Sequence, residues 1–390
     1  MCTPFSKAGE RCHIGKASPA FVSKCRMSRK SSQGEKEDMW QTVRRRMRVV
    51  SALLGVLTAL VLVPAQALAD EPPWFIAPAS EQASLVARLF NIELAVATAV
   101  AIIIWSLILF VLVRYRARED GTDETPKQIH GNNALEITWT VGTAVVLLFV
   151  FAVFWQTMNA LAATPDDAME INVYGKQWWW EFEYPAYTRE GSDEPVRTGN
   201  ELYIPAGVPV KFNLHSDNVI HSFWVPRLNG KTDVIPGQVN TTWFQADEPG
   251  EYHAQCAELC GVQHAGMRFK VYALPQDEWE AWIEAQRKPA VEPQSELAQR
   301  GAQLFLAKGC AGCHTIYGTN AAGRVGPDLT HFASRHTVAA VLPQTSANVG
   351  LWVQNADLVK PGNIMWQTMK NVPLSADEVE ALTAYLLSLK

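Results

Sequence analysis

Two short stretches of this chain gather side chains that bind metals and carry electrons. The first, His253 to Met267, reads HAQCAELCGVQHAGM and sets Cys256, Cys260, His264 and Met267 close together, with His221 farther upstream. The plainest chemistry for two cysteines four apart is a disulfide. Two cysteines and two histidines also suit a structural zinc, which leaves Met267 idle. A mononuclear blue copper takes one thiolate, two imidazoles and a weak methionine, which leaves one cysteine idle. A pair of copper ions uses the whole set. Two thiolates bridge the ions, one imidazole completes each side, and Met267 and a backbone carbonyl serve as weak axial donors. Soft thiolate and thioether donors suit copper that cycles between two oxidation states.

The second stretch is Cys310-Ala-Gly-Cys313-His314. Two thiols at this spacing add to the vinyl groups of a haem, and the histidine that follows ligates its iron. A thioredoxin-like pair has the same spacing, but no βαβ pattern surrounds it here. A second axial ligand has to come from later in the chain, where Met365 and Met369 are the candidates, and a methionine there raises the haem potential. Pro361 and Gly362 reverse the chain just before Met365, which favours that residue.

These segments need elements to carry them, and the rest of the chain supplies three kinds. The chain has 390 residues and a net charge of −5, with no dense lysine and arginine stripe, which excludes nucleic acid as a partner. Residues 44–69 have a basic start, a short apolar stretch and a small-residue cleavage site before Asp70, the three parts of a secretory signal. Residues 1–43 read as a non-structural extension from an upstream start codon, with Met39 or Met47 as the true start and no role for Cys2, Cys12 or Cys25. Residues 70–160 read as a transmembrane hairpin with spans at about 89–113 and 137–158. Its connecting loop holds Arg114, Arg116, Arg118 and Lys127, whereas the segment after the second span lacks Lys and Arg until Lys176. The loop therefore faces the cytoplasm, and everything beyond residue 160 is exported across a bacterial inner (plasma) membrane. Exported thiols sit in an oxidising compartment, where an unbound pair closes into a disulfide.

From residue 161 to 286 the chain runs through short apolar or aromatic segments, such as INVYGKQWWWEFEY and PVKFNL, separated by Gly and Pro turns. That spacing predicts an all-β sandwich. Residues 287–296, RKPAVEPQSE, form a proline-bearing linker. Residues 297–390 form the domain around the Cys310–His314 motif and end in the amphipathic segment SADEVEALTAYLLSL.

The pattern His221, then Cys256-x-Glu258-x-Cys260-x-x-x-His264-x-x-Met267, is similar in every position to the dinuclear copper site, CuA, of subunit II of cytochrome c oxidase. The resemblance implies a cupredoxin-like sandwich in which Glu258 supplies the axial carbonyl and points its side chain to a magnesium ion shared with subunit I. It matches Trp178 to the tryptophan through which electrons enter, while Trp179 and Trp180 alternate between surface and core of a strand. It assigns LNGKTDVIPG, with Lys231 and Asp233, to contact with subunit I. It matches Glu136, in HGNNALEITWT, to an acid at the mouth of a proton path into subunit I; the plainer reading is an acid favoured by the helix dipole. Asn218 departs from relatives that have a surface acid for docking cytochrome c.

Residues 296–390 resemble small class I cytochromes c, all-α domains, through the attachment motif, Gly326-Pro-Asp-Leu329 and VKPGNIM, in which Met365 matches the second ligand. Trp366 stands where proline is common. Together the resemblances imply a multi-domain subunit that passes electrons from covalent haem c to CuA and on to subunit I for oxygen reduction, fed by a cytochrome c or a quinol-oxidising complex. A CuA-containing nitric oxide reductase would use the same relay with another partner. A membrane-tethered copper-handling protein would share the copper ligands but has no use for a haem. A nitrous oxide reductase needs a propeller for which the chain has no repeats.

Overall fold

The computed structural model describes residues 77–116, 128 and 130–390. The expected N-terminal extension and signal, together with Arg118 and Lys127, lie outside the described residues.

Two helices come first, α1 (Glu81–Arg114) and α2 (Asn133–Ala162). Both outrun the spans expected from the sequence, because apolar content marks only the part inside a bilayer while the helix continues through polar ends. At 34 residues α1 is about 50 Å long, against a hydrocarbon layer of about 30 Å. Both are long and apolar enough to cross a membrane. Their large side chains, among them Ile102, Trp105, Leu112, Leu147 and Leu148, face outward, so lipid or other chains must cover them. Ser80 caps α1 by accepting from the Ala83 amide, and its hydroxyl donates to the Leu228 carbonyl at 2.6 Å. At the far end of α2, Trp243 donates its ring N–H to the Leu161 carbonyl at 3.0 Å. The hairpin is thus pinned to the following domain at both outer ends.

That domain is a sandwich of two five-stranded sheets. The first runs β3 (Pro195–Gly199), β2 (Trp179–Thr188), β1 (Met169–Lys176), β5 (Val210–Ser216), β8 (Asn240–Phe244), and the second β4 (Glu201–Pro205), β10 (Arg268–Leu274), β9 (Gly250–Cys256), β6 (His221–Trp224), β7 (Thr232–Val234). In β5 the alternation is plain: Val210, Phe212 and Leu214 are buried, while Lys211 and Asn213 are partly exposed. The inward rows meet in an aromatic core of Trp180, Phe182, Tyr184, Phe212, Phe223, Phe244 and Phe269. Each fully buried ring contributes about 1.5–3 kcal/mol through desolvation alone. Helix α3 (Gln276–Arg287) closes one side, burying Trp279 and Ile283 and stacking Trp282 on Tyr203 with ring centres 4.4 Å apart.

The chain is irregular from Lys288 to Ser295 and then enters a helical domain of α4 (Glu296–Ala307), α5 (Ser346–Asn355), α6 (Ile364–Met369) and α7 (Ala376–Leu386). Two short ribbons decorate it, one of β11 (Thr315–Ile316) with β12 (Ala321–Ala322) and one of β13 (Thr337–Val338) with β14 (Leu342–Pro343). Helices α4 and α7 cross at Gly301, where a Cβ would lie 2.0 Å from the Ala381 carbonyl oxygen. Any side chain there would force the helices apart. Ser375 and Glu378 form a capping box that starts α7.

The helical domain is seated on the sandwich through buried polar contacts. Glu201, on β4 and only 1% exposed, accepts from the Thr337 amide at 2.8 Å, the Thr337 hydroxyl at 2.7 Å, the His336 amide at 3.0 Å and the Tyr203 hydroxyl at 2.8 Å. Arg189 pairs with Asp328 in a buried salt bridge, and Pro327 packs so closely on Gly199 that a Cβ there would approach to 2.6 Å. A carboxylate with this many donors is expensive to remove, because each abandoned amide then lacks a partner. Glu201→Ala should therefore speed amide hydrogen exchange at His336 and Thr337 about tenfold or more while the sandwich core keeps its protection. Unchanged exchange at both amides would show that the carboxylate does not hold the two domains together.

Candidate metal centre and haem site

The copper-type residues come from two neighbouring strands and one loop. His221 opens β6 and Cys256 closes β9, and these strands pair with each other. The loop from Ala257 to Met267 contains a single 3-10 turn, His264–Gly266, and closes when the Cys256 amide donates to the Met267 carbonyl at 2.9 Å. Cys256 and Cys260 are both free, with their sulfurs 3.7 Å apart, so the disulfide considered for this pair is not formed. His221 Nδ1 lies 3.9 Å from the Cys256 sulfur, and His264 Nδ1 lies 3.8 Å from the Cys260 sulfur. Met267 Sδ is 3.8 Å from the Cys260 sulfur, and the Glu258 carbonyl oxygen is 3.2 Å from the Cys256 sulfur. The structure thus brings all six residues together.

Metal-to-sulfur and metal-to-imidazole bonds of about 2.3 and 2.0 Å place two donors of one ion roughly 3.5–4 Å apart. The S–S and S–N separations fall in that range, with one imidazole on either side of the sulfur pair, so the donor set fits two ions sharing two thiolates. The thiol chemistry agrees. The hydrogen bond between the two sulfurs favours a thiolate at Cys256, lowering its pKa, while the same hydrogen bond and burial raise that of Cys260. A cation binding between the two sulfurs would take the place of their protons.

Several neighbours hold this geometry, and apart from Trp178 the sequence carries no pattern for them. Asn218 Oδ1 lies 3.0 Å from His221 Nε2; an amide oxygen there places the ring proton on Nε2 and leaves Nδ1 free to face Cys256. From the sequence Asn218 reads only as a surface position. Gly175 leaves room for the His221 ring, since a Cβ would lie 2.8 Å from Cδ2. Gly261 adopts φ +119°, and its missing Cβ would lie 2.9 Å from the Trp178 ring. Through that gap Trp178 Nε1 and Gln177 Nε2 both donate to the Cys260 carbonyl, at 2.9 and 2.8 Å. Trp178 is half-buried against the core, Trp180 is fully buried within it, and Trp179 sits beneath the Lys176 ammonium at 5.0 Å.

In the helical domain Cys310 opens a 3-10 turn, Cys310–Gly312, and both Cys310 and Cys313 are free and half-buried. The backbone there is crowded: a Cβ on Gly323 would lie 2.4 Å from the Gly312 carbonyl carbon. His314 Nδ1 bonds the Pro327 carbonyl at 2.8 Å, which orients the ring and leaves Nε2 for an iron. Burial lowers the His314 pKa, keeping the imidazole neutral as an iron ligand requires, and Gly326 backs the ring where a Cβ would approach to 2.5 Å. These residues fit a covalently held haem. Met365 and Met369 both lie on α6, four residues apart and half-buried, so α6 carries both candidates.

The remaining candidates lie elsewhere. Lys231 and Asp233 form an exposed ion pair at 3.4 Å. Glu136 sits in the first turn of α2, where its carboxylate accepts from the Asn132 amide at 3.2 Å. That is the end-of-helix role any acid could fill.

Comparison with known proteins agrees with this architecture part by part. Residues 73–155 match the family "Cytochrome C oxidase subunit II, transmembrane domain", residues 169–274 match "Cytochrome C oxidase subunit II, periplasmic domain", and residues 298–390 match "Cytochrome c". The chain is 39% identical to cytochrome c oxidase subunit 2 of Alkalihalophilus pseudofirmus, over 86% of this chain and 96% of that one. It is 36% identical to cytochrome c oxidase subunit 2 of Bacillus subtilis, over 72% of this chain and 82% of that one. Among solved structures, the periplasmic domain of subunit II of cytochrome oxidase of Bradyrhizobium japonicum is 28% identical with a TM-score of 0.30, covering 32% of this chain and 97% of that one. With three domain matches in order and near-complete coverage of a relative at 39% identity, the chain belongs to the cytochrome c oxidase subunit II family and carries a cytochrome c domain after its periplasmic domain.

Proposed function

We propose that the chain is the subunit through which electrons enter a terminal cytochrome c oxidase of a bacterial inner membrane. Electrons pass from a haem held by Cys310, Cys313, His314 and Met365 to a copper pair held by His221, Cys256, the Glu258 carbonyl, Cys260, His264 and Met267, and from there to subunit I, where oxygen is reduced. The observation that carries this reading is the row of donors, imidazole–sulfur–sulfur–imidazole, each 3.7–3.9 Å from the next.

When bound, the copper pair supplies a site that takes and releases one electron at a time. The protein's part is to hold the ligands still. Cys256, Cys260, His221 and Met267 are each at most 3% exposed, so water reorganisation around them is small. Asn218 fixes one imidazole, and Trp178 and Gln177 fix the Cys260 carbonyl. The Glu258 side chain reaches a magnesium ion shared with subunit I, and Lys231 and Asp233 touch that subunit. Glu136 serves a proton path in the assembled complex. The donor to the haem is a cytochrome c or a quinol-oxidising complex.

Cys256→Ser or Cys260→Ser should reduce copper from two ions per chain to one or none, read by metal analysis of the purified complex, because a lost bridging sulfur leaves one ion short of donors. Two coppers retained in either variant would contradict the shared-sulfur site.

Met365→Ala should abolish the weak sulfur-to-iron absorption of the oxidised haem and lower its potential, with Met369→Ala close to the parent in both. The reverse pattern would make Met369 the ligand.

Trp178→Leu should slow reduction of the copper pair by the haem while both metals stay bound, and Trp179→Leu should leave that rate alone. Equal rates in Trp178→Leu and the parent would place the route elsewhere.

A further inference from the structure

The turn that precedes the proposed haem ligand is not free. Lys360 is only 3% exposed, and its Nζ donates to the backbone carbonyl of Trp178 at 3.2 Å, a contact between the haem domain and the copper domain. The next two residues touch the copper loop as well. Gln263 Nε2 donates to the Pro361 carbonyl at 2.9 Å, and Gly362 packs on Val262, where a Cβ would lie at 3.4 Å. Three consecutive residues of one domain therefore rest on the strand turn and loop that position Cys260. The turn is itself locked, since Asp357 accepts from the Gly362 amide at 2.6 Å and Asn363 donates to the Lys360 carbonyl at 2.6 Å.

A lysine this deeply buried is unusual, because its ammonium gives up hydration that the surface would provide free. Burial, with Arg268 nearby adding repulsion, lowers its pKa to about 7. The amine can donate to a carbonyl in either protonation state, so the contact does not depend on charge. A side chain kept buried at this cost, at the one place where the two domains meet beside Trp178 and Cys260, points to a requirement for position.

We infer that Lys360 is a positioning residue that seats the haem domain on the copper loop and so sets the rate at which electrons cross between the domains. The inference rests on the relay proposed above. The step it serves moves one electron: the haem iron goes from ferrous to ferric and the copper pair is reduced by one. Lys360 itself exchanges neither electron nor proton.

The test uses the intact complex, with the haem reduced by a light pulse through a photoexcited ruthenium complex and both centres followed by absorption. Lys360→Met should slow haem-to-copper transfer roughly tenfold, the factor that loss of one buried hydrogen-bonded contact produces in a local equilibrium. Haem and copper spectra and potentials should stay as in the parent, and amide exchange should rise across Gly261–Gly266. Lys360→Arg, which keeps a donor of similar reach, should recover most of the rate. A transfer rate in Lys360→Met within twofold of the parent, with unchanged exchange, overturns the assignment. A parent that passes no electron from haem to copper at all overturns the relay instead, and the proposal with it.

Discussion

Two sulfur atoms 3.7 Å apart, close enough to share metal ions and too far apart to be bonded, set the demands on the rest of the molecule. In an oxidising compartment such a pair drifts toward a disulfide unless the backbone or a metal holds it open. Here the backbone does. The cysteines are anchored at the end of β9 and in a tightly closed loop. The glycines at 175 and 261 leave the space into which the His221 ring and the Trp178 ring fit. A side chain at either position would move a ligand or its support by a few tenths of an ångström or more.

The proposed relay accounts for why the helical domain sits where it does. Electron transfer needs a short and constant separation, and a tethered domain on an eight-residue irregular linker would otherwise sample many positions. Two groups of contacts remove that freedom. On one side the buried Glu201 carboxylate and the Arg189–Asp328 pair hold the segment from Pro327 to Thr337. On the other, the turn at Lys360–Gly362 rests on the copper loop. The first group carries the strong, charge-assisted hydrogen bonds and the second carries the alignment.

How much of this could be read from the sequence depends on the range of each interaction. The candidate copper and haem motifs were legible because their residues are mostly local: five of the six copper-type residues lie within twelve positions, and Cys310, Cys313 and His314 within five. The membrane helices and the sandwich were legible because apolar runs and period-two alternation are properties of single segments. Glu201, Lys360 and Asn218 were not: Glu201 and Lys360 act on partners far away in sequence, and Asn218, though only three residues from His221, belongs to no pattern that announces its contact. Glu201 reads as an ordinary strand acid until His336 and Thr337 arrive 135 residues later. The choice between Met365 and Met369 stayed with the turn argument, since α6 holds both. Glu136 illustrates the opposite case: the plain reading, an acid at a helix start, matches its contact in this chain, and any further role needs the partner subunit.

The central claim is that haem and copper lie on domains held in one fixed arrangement. Its most direct measurement is the rate of haem-to-copper electron transfer in the intact complex as solvent viscosity and protein concentration are varied. A seated domain predicts a first-order rate that changes with neither. A rate that falls in proportion to viscosity would mean that the haem domain must swing to reach the copper loop, and would contradict the account.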